Sequence, residues 1–319
     1  MVWRILRRLL ILVISTAAAS FLTFWVLFDG CGPARTRLGI GATEDSVAQL
    51  CRELGLDRSM ASQYLDWAGG ILHGDFGVSY ISGRALGPQI LDQLSVTLWL
   101  VAGAMVVAVL LAVPWGLFSA LFHRRIWGTL LSAGSQIGVA VPAFLAAILL
   151  VLLFSVHLGW LPPNGYQVPG ADFGGFLSHM VLPWLALGIV QAAVLARYVR
   201  SAVLDESGQD YLRTARSKGL TRLDALVRHG LRNASIPVLT VIGVQLVTIL
   251  VGAVVVEYVF AIPGIGAGLA DAAKRQDLLN VQGIVVVLVV IALVVSFLVD
   301  LAYTLIDPRM RTTADGGRA

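Results

Sequence analysis

The chain has 319 residues, 57% of them hydrophobic and only 13% charged, with a formal net charge of +4. A mean hydropathy of +0.83 excludes a water-soluble fold, which has nowhere to hide so much apolar surface. The basic surplus needs no nucleic acid to explain it, because membrane topology is sufficient reason.

Crossing a hydrocarbon core of about 30 Å takes roughly 20 apolar residues as helix. Six stretches qualify: Leu9 to Phe28, Val96 to Leu121, Leu130 to His157, Ser178 to Ala196, Ile236 to Phe260 and Val281 to Leu305. They show no period-two alternation, which argues against a transmembrane β-barrel. The expected fold class is an all-α integral membrane protein with six transmembrane helices. Its regions are a first helix over 1–28, a loop subdomain over 29–95, a five-helix core over 96–305 containing a charged loop at 197–235, and a tail over 306–319.

Arg7 and Arg8 before an apolar run, with small residues at Ala17, Ala18 and Ala19, also fit a secretory signal peptide. The run continues to Phe28, beyond a typical signal core, so an uncleaved first helix is expected. The following loop mixes Leu, Trp and Tyr with Asp and Gly and is expected to pack as a small helical subdomain. It holds Cys31 and Cys51, the chain's two cysteines. In an oxidising compartment they can pair; as spacing does not establish geometry, two free thiols remain the alternative. No CxxC or Cys/His ligand set exists, so no structural metal is indicated.

With the N terminus inside, sixteen of the 23 Lys and Arg residues fall on the cytoplasmic side and seven outside. Much of the outside set sits in one long loop, where charge counts for less. Both termini and the segment Asp210 to Leu239 are therefore expected in the cytoplasm. Within that segment Tyr211 to Lys218 can form a short helix that Gly219 ends in a left-handed conformation, and Thr221 with Asp224 reads as a capping box opening a second helix. The two helices would form a knob bearing Arg213, Arg216, Lys218, Arg222 and Arg228, with Ala215 allowing close approach by a soluble partner. A solvated basic loop facing lipid headgroups is the plainer alternative.

Ionisable groups inside apolar spans are costly, and there are two, Glu257 and Asp300. They read either as pathway or gating residues or as interhelical hydrogen-bond partners. Pro114 and Pro142 sit within the second and third spans and are positioned to kink them. The run Pro263 to Gly268 follows a span on the outside and reads as a tight turn rather than a phosphate cradle. The five histidines share no ligand spacing. No G-x-x-x-x-G-K-[ST] loop is present, so ATP hydrolysis by this chain is not expected.

Four blocks in order resemble the transmembrane permease subunits of binding-protein-dependent ABC importers of the dipeptide, oligopeptide and nickel class. The first comprises Leu54 to Asp57, Gln63, Tyr64, Gly74 to Gly77, Ser79, Thr97 and Leu98. The second comprises Asp210, Tyr211, Arg213 to Arg216, Lys218, Gly219 and Leu220, with His229, Leu231, Arg232, Asn233 and Pro237. Glu257, Phe260, Pro263, Gly264 and Gly266 form the third, and Asp300, Tyr303, Asp307, Pro308 and Arg309 the fourth. Two positions depart from the family pattern. A Pro-Gly-Asp-Pro block after the first helix is replaced by Asp29 to Pro33, and the Glu that usually heads the cytoplasmic motif is Arg213.

The resemblance implies a type I importer permease fold, in which Arg213, Thr214, Ala215, Arg216, Lys218, Gly219 and Leu220 belong to the coupling helix. It also implies one or two cytoplasmic ATP-binding subunits carrying ATP and Mg, with no cofactor in this chain. A homologous second permease would complete a heterodimer in the bacterial cell membrane, and an extracytoplasmic binding protein would deliver substrate for alternating access. Peptides are the implied substrate, with nickel chelates and haem as alternatives in the class. An ion-coupled secondary transporter using Glu257 or Asp300 is the rival reading; a membrane enzyme would need convergent catalytic groups that the sequence does not show.

Overall fold

Once in lipid, a backbone must satisfy its polar groups internally, and the chain does so as helix almost throughout. The computed structural model describes residues 2–39 and 41–306, and within them the side chains of all but 2–5, 300 and 302–306. Among the described residues the elements are α1 (Val2–Val26), α2 (Gly32–Leu38), α3 (Glu44–Glu53), α4 (Met60–Leu72), α5 (Leu86–Leu121), α6 (Ile126–Ala140) and α7 (Ala143–Leu150), the last extended by a π-helical turn (Val151–His157). They continue with α8 (Phe173–Ser207), α9 (Asp210–Ser217), α10 (Arg222–Ala225), a second π-helical turn (Leu226–Gly230), α11 (Leu231–Val259), α12 (Ile265–Lys274) and α13 (Leu278–Ile306). Among the described residues five helices are long and apolar enough to cross a membrane, or six spans if the bent pair α6 and α7 counts as one.

The third expected span is not one helix. α6 and α7 meet at an angle of 100°, and the break falls at Val141 and Pro142, both in extended backbone. Proline lacks the N–H that would continue the ladder and forces the residue before it out of the helical region. Pro114, by contrast, lies inside an unbroken α5.

Contacts divide the chain into two compact units. Within the described residues the first comprises 98–262 and 295–306. Its post is α8, 61% buried across its apolar window, against 6% for the N-terminal helix. Small residues let α5 approach α8 closely. A Cβ on Gly116 would lie 2.6 Å from both the Ala196 carbonyl oxygen and the Val199 Cβ, and one on Gly188 would lie 2.6 Å from Val107. Trp184 lies across this contact and donates its indole N–H to the Trp99 carbonyl at 3.0 Å.

The second unit comprises Val2–Thr97 and Pro263–Val294. The long first loop carries the helices α2, α3 and α4. Thr43 caps α3 and Ser59 caps α4 by accepting backbone N–H groups. Cys31 and Cys51 are joined, with Cα atoms 5.4 Å apart, and Cys51 packs with Ala34, Val47 and Leu56 in a small core. α4 lies on α1 through rings: Phe24 faces Tyr64 at 5.5 Å and Trp67 at 5.4 Å, while Ser20 and Tyr64 share a hydrogen bond of 2.9 Å. Of the glycine-rich run, Pro263 and Gly264 make the turn and the remainder opens α12. The Ile265 N–H there donates to Thr97 Oγ1 at 2.9 Å. Ser79 donates to the buried Asp277 carboxylate at 2.5 Å. Burial first, then the Asp277 charge, raise the Tyr80 hydroxyl above its ordinary pKa, with Arg58 partly offsetting them.

Substituting Gly116→Ala forces a methyl group against backbone and is expected to cost roughly 1–3 kcal/mol. The change should lower the thermal midpoint of the detergent-solubilised protein, whereas an unchanged midpoint would mean that α5 and α8 do not pack as described.

Candidate functional site: the α8–α9–α11 junction and a polar pair in the span

The apolar helix α8 runs on past Ala196 to Ser207, where Gly208 ends it, and the chain turns at once into α9. α9 is amphipathic in the plainest sense. Leu212 is 4% exposed, and Ala215 and Leu220 pack on the same core cluster as Val199, Ala202, Val203, Ala225 and Leu226. Arg213, Thr214, Arg216, Ser217 and Lys218 point outward and are exposed. The close approach expected of Ala215 is therefore made inward, to its own chain.

Gly219 ends the short helix with φ +96°, a conformation that costs an L side chain roughly 1–2 kcal/mol. Thr221 then caps α10: its Oγ1 accepts the Asp224 N–H at 3.1 Å and donates to the Asp224 carboxylate at 2.6 Å. The capping box is present, but the helix it opens is not a free-standing partner of α9. α10 continues through the π-helical turn into α11, giving one apolar helix from Arg222 to Val259. The wide turn places Gly230 beneath α9, where an added Cβ would come within 3.3 Å of Leu212 Cδ1.

Three side chains tie the corner. Tyr211 at the start of α9 donates its hydroxyl to Glu206 on α8. Asn233 at the start of α11 donates to the Tyr211 oxygen at 3.1 Å and to Glu206 Oε1 at 3.3 Å. Burial, then the hydrogen bond to Glu206, raise the Tyr211 hydroxyl above its ordinary value, with the Asn233 bond acting in the opposite sense. A raised folded-state pKa for a group that is neutral below it means that the contribution is complete below the unfolded value of about 10 and is lost only as pH climbs through the folded one. The latch is thus closed at every physiological pH. The exposed Arg213–Asp210 pair, at 3.4 Å, adds little by comparison.

A second constellation sits halfway along α8 and α11. Gln245 donates to Gln191 at 2.8 Å, and each is only 8% exposed. Beside Gln191 is an open groove of about 470 Å³, lined by Ala143, Leu187, Val190, Gln191, Val247, Thr248, Val251 and Gly252. No charged side chain lines it.

Of the two ionisable residues expected inside the spans, Glu257 is 0% exposed in the last turn of α11. Its backbone carbonyl accepts the Ile262 N–H at 2.9 Å, and it faces no open water in this conformation. Asp300 lies within α13, and its side chain is outside the described residues. Tyr303 is in the same position, while Asp307, Pro308 and Arg309 lie outside the described residues altogether. Among the described residues no group of three or more His, Cys, Asp or Glu side chains converges as a metal site would require.

Sequence reasoning missed Glu206, Gln191 and Gln245. The signal for the glutamines was available: an amide within a long apolar run costs free energy unless it is paired. Glu206 carried no such mark, because its partners are set by how two turns fold.

With this geometry in hand, the relatives of the chain are informative. Residues 112–312 match the family described as binding-protein-dependent transport system inner membrane component, and residues 1–102 match that family's N-terminal region. The dipeptide transport system permease protein DppB of Escherichia coli K12 is 35% identical, over 96% of this chain and 98% of that protein. The probable peptide ABC transporter permease protein y4tP of Sinorhizobium fredii is also 35% identical, with the same coverage. The glutathione transport system permease protein GsiC of Escherichia coli K12 is 36% identical over 96% of this chain and 98% of its own length. A crystal structure of an amino acid ABC transporter aligns with 70% of this chain and 94% of its own at 18% identity, with a TM-score of 0.49. The chain belongs to the family of inner-membrane components of binding-protein-dependent transport systems, the permease subunits of ABC importers. It is a multi-pass inner-membrane translocation subunit rather than an enzyme.

Replacing Tyr211 by Phe removes the donor to Glu206 and leaves Asn233 with half its contacts. Amide exchange across 211–218 is expected to speed up about tenfold, with the middles of α8 and α11 unaffected. Equal exchange in variant and wild type would show that the latch does not hold α9.

Proposed function

We propose that the chain is one transmembrane half of an ATP-driven peptide importer, working by alternating access with α9 as its coupling helix. The observation that carries this reading is the two-faced character of α9. Its apolar side is anchored to both α8 and α11, while Arg213, Thr214, Arg216 and Lys218 stand exposed on the other. A surface docked there transmits force directly to two membrane helices. The names of the curated relatives, covering peptide, dipeptide and glutathione transport, support peptides as the substrate class.

In this reading both termini and α9 are cytoplasmic, and one or two ATP-binding subunits hold ATP and Mg against α9. A homologous second permease completes the pathway, since six spans supply one half of it. An extracytoplasmic binding protein delivers the substrate, and the paired Cys31 and Cys51 lie on that oxidising side.

Purification of the chain from its native membrane in mild detergent, as wild type and as Arg213→Glu/Arg216→Glu, tests the docking. The wild type is expected to bring down a stoichiometric ATPase, and the variant to lose more than nine-tenths of it while eluting as a folded bundle. Both changes are on exposed side chains and leave Ala215 untouched. If the wild type came down alone and moved solute under a proton gradient, the reading would fail in favour of ion coupling.

A further inference from the structure

We propose that Gln191 and Gln245 form an amide-reading station at mid-membrane, a contact on the translocation route that takes the peptide-bond groups of a passing solute. The inference rests on the peptide-importer reading above and names a place in this chain where that substrate class is recognised.

Gln191 is the nineteenth residue of the 35-residue α8 and Gln245 the fifteenth of the 29-residue α11, so both stand at the centres of their helices. Their mutual bond uses one N–H of Gln245 and one lone pair of Gln191. A carboxamide has two N–H groups and a carbonyl with two lone pairs. The pair therefore keeps an NH₂ group on one helix and a carbonyl on the other with capacity to spare, and exchanging the two amide orientations leaves the same kinds of group. Such capacity is wasted in a purely structural pair, which an apolar replacement of similar shape would match or better. Gln191 is more than nine-tenths buried, and it forms part of the groove wall.

The rest of the wall fits the same ligand. Thr248, one turn from Gln245, donates its hydroxyl to the Val244 carbonyl at 3.3 Å and keeps acceptor capacity, while Leu187, Val190, Val247 and Val251 supply apolar contact. A volume of about 470 Å³ lies within the range of small-molecule sites. The absence of charge from this lining, together with neutral donors and acceptors, suits a backbone amide with mixed side chains, and suits a chelated metal or a haem carboxylate poorly. Neutral hydrogen bonds are also individually weak, which a route that must release its cargo requires.

Uptake into proteoliposomes carrying the complete transporter, with its binding protein, tests the station. The probes are alanyl-alanine and its ester isostere alanyl-lactate, which lacks the amide N–H and has a poorer carbonyl acceptor. Because the binding protein is the same throughout, any change in the amide-to-ester uptake ratio belongs to the permease. The variant is Gln191→Leu/Gln245→Leu, which removes both partners and leaves no unpaired amide. The ratio is expected to fall by a factor of about five, the size of one neutral hydrogen bond.

A second measurement does not depend on how the double variant folds. With Cys31 and Cys51 paired, Thr248→Cys is the one free thiol of this chain. A charged, water-borne thiol reagent is expected to modify it, and alanyl-alanine under turnover to protect it. An unchanged uptake ratio would overturn the station while leaving the importer intact. A Thr248→Cys thiol that no charged reagent reaches in any nucleotide state would overturn it too, placing lipid or the second permease over the groove. Wild-type transporter that hydrolyses ATP without taking up either probe would remove the peptide reading itself, and the station with it.

Discussion

A helix of eight residues does not hold itself together in water, so α9 exists because of what it is tied to. Leu212 is sunk into the cluster formed by the end of α8 and the start of α11, over the gap left by Gly230. Glu206, Tyr211 and Asn233, one from each of the three helices, close the corner from outside. Under the proposed coupling, a push on the exposed side of α9 would reach α8, the most buried of the apolar helices, and α11, into which α10 runs as one continuous helical path.

The sequence conveyed much of this, because its signals are local. Gly219, Thr221 and Asp224 each do what their chemistry dictates at their own position, a left-handed stop and a cap. The apolar runs reveal spans because length and hydropathy need no partner to be read. What the sequence hid was tertiary. The outward or inward sense of Ala215 depends on which side of α9 meets α8, and the merging of α10 with α11 depends on a π-helical turn that no residue type announces. The bend between α6 and α7 was half visible, since Pro142 was known to disturb the span, but the 100° change of direction is a property of the packed molecule.

The two kinds of polar group in the spans divide by access. Glu257 is sealed within the protein. The glutamine pair is also buried, yet its Gln191 lines an open groove and the pair carries no charge. Along a route that moves neutral or zwitterionic cargo, a neutral pair is the less costly device, because it need not be desolvated and recharged with each passage. In the proposed reading the α8–α9–α11 corner would supply the movement, and the middle of the same two helices would meet the cargo.

Photo-crosslinking in native membranes tests most directly whether α9 is the docking surface. A photoreactive amino acid is placed at Arg216, on the exposed side, and separately at Leu212, on the buried one. The account predicts that position 216 captures an ATP-binding subunit in high yield, in a manner that changes with nucleotide, and that position 212 captures only this chain. Capture of lipid alone from position 216, with no ATP-binding subunit in any nucleotide state, would contradict it.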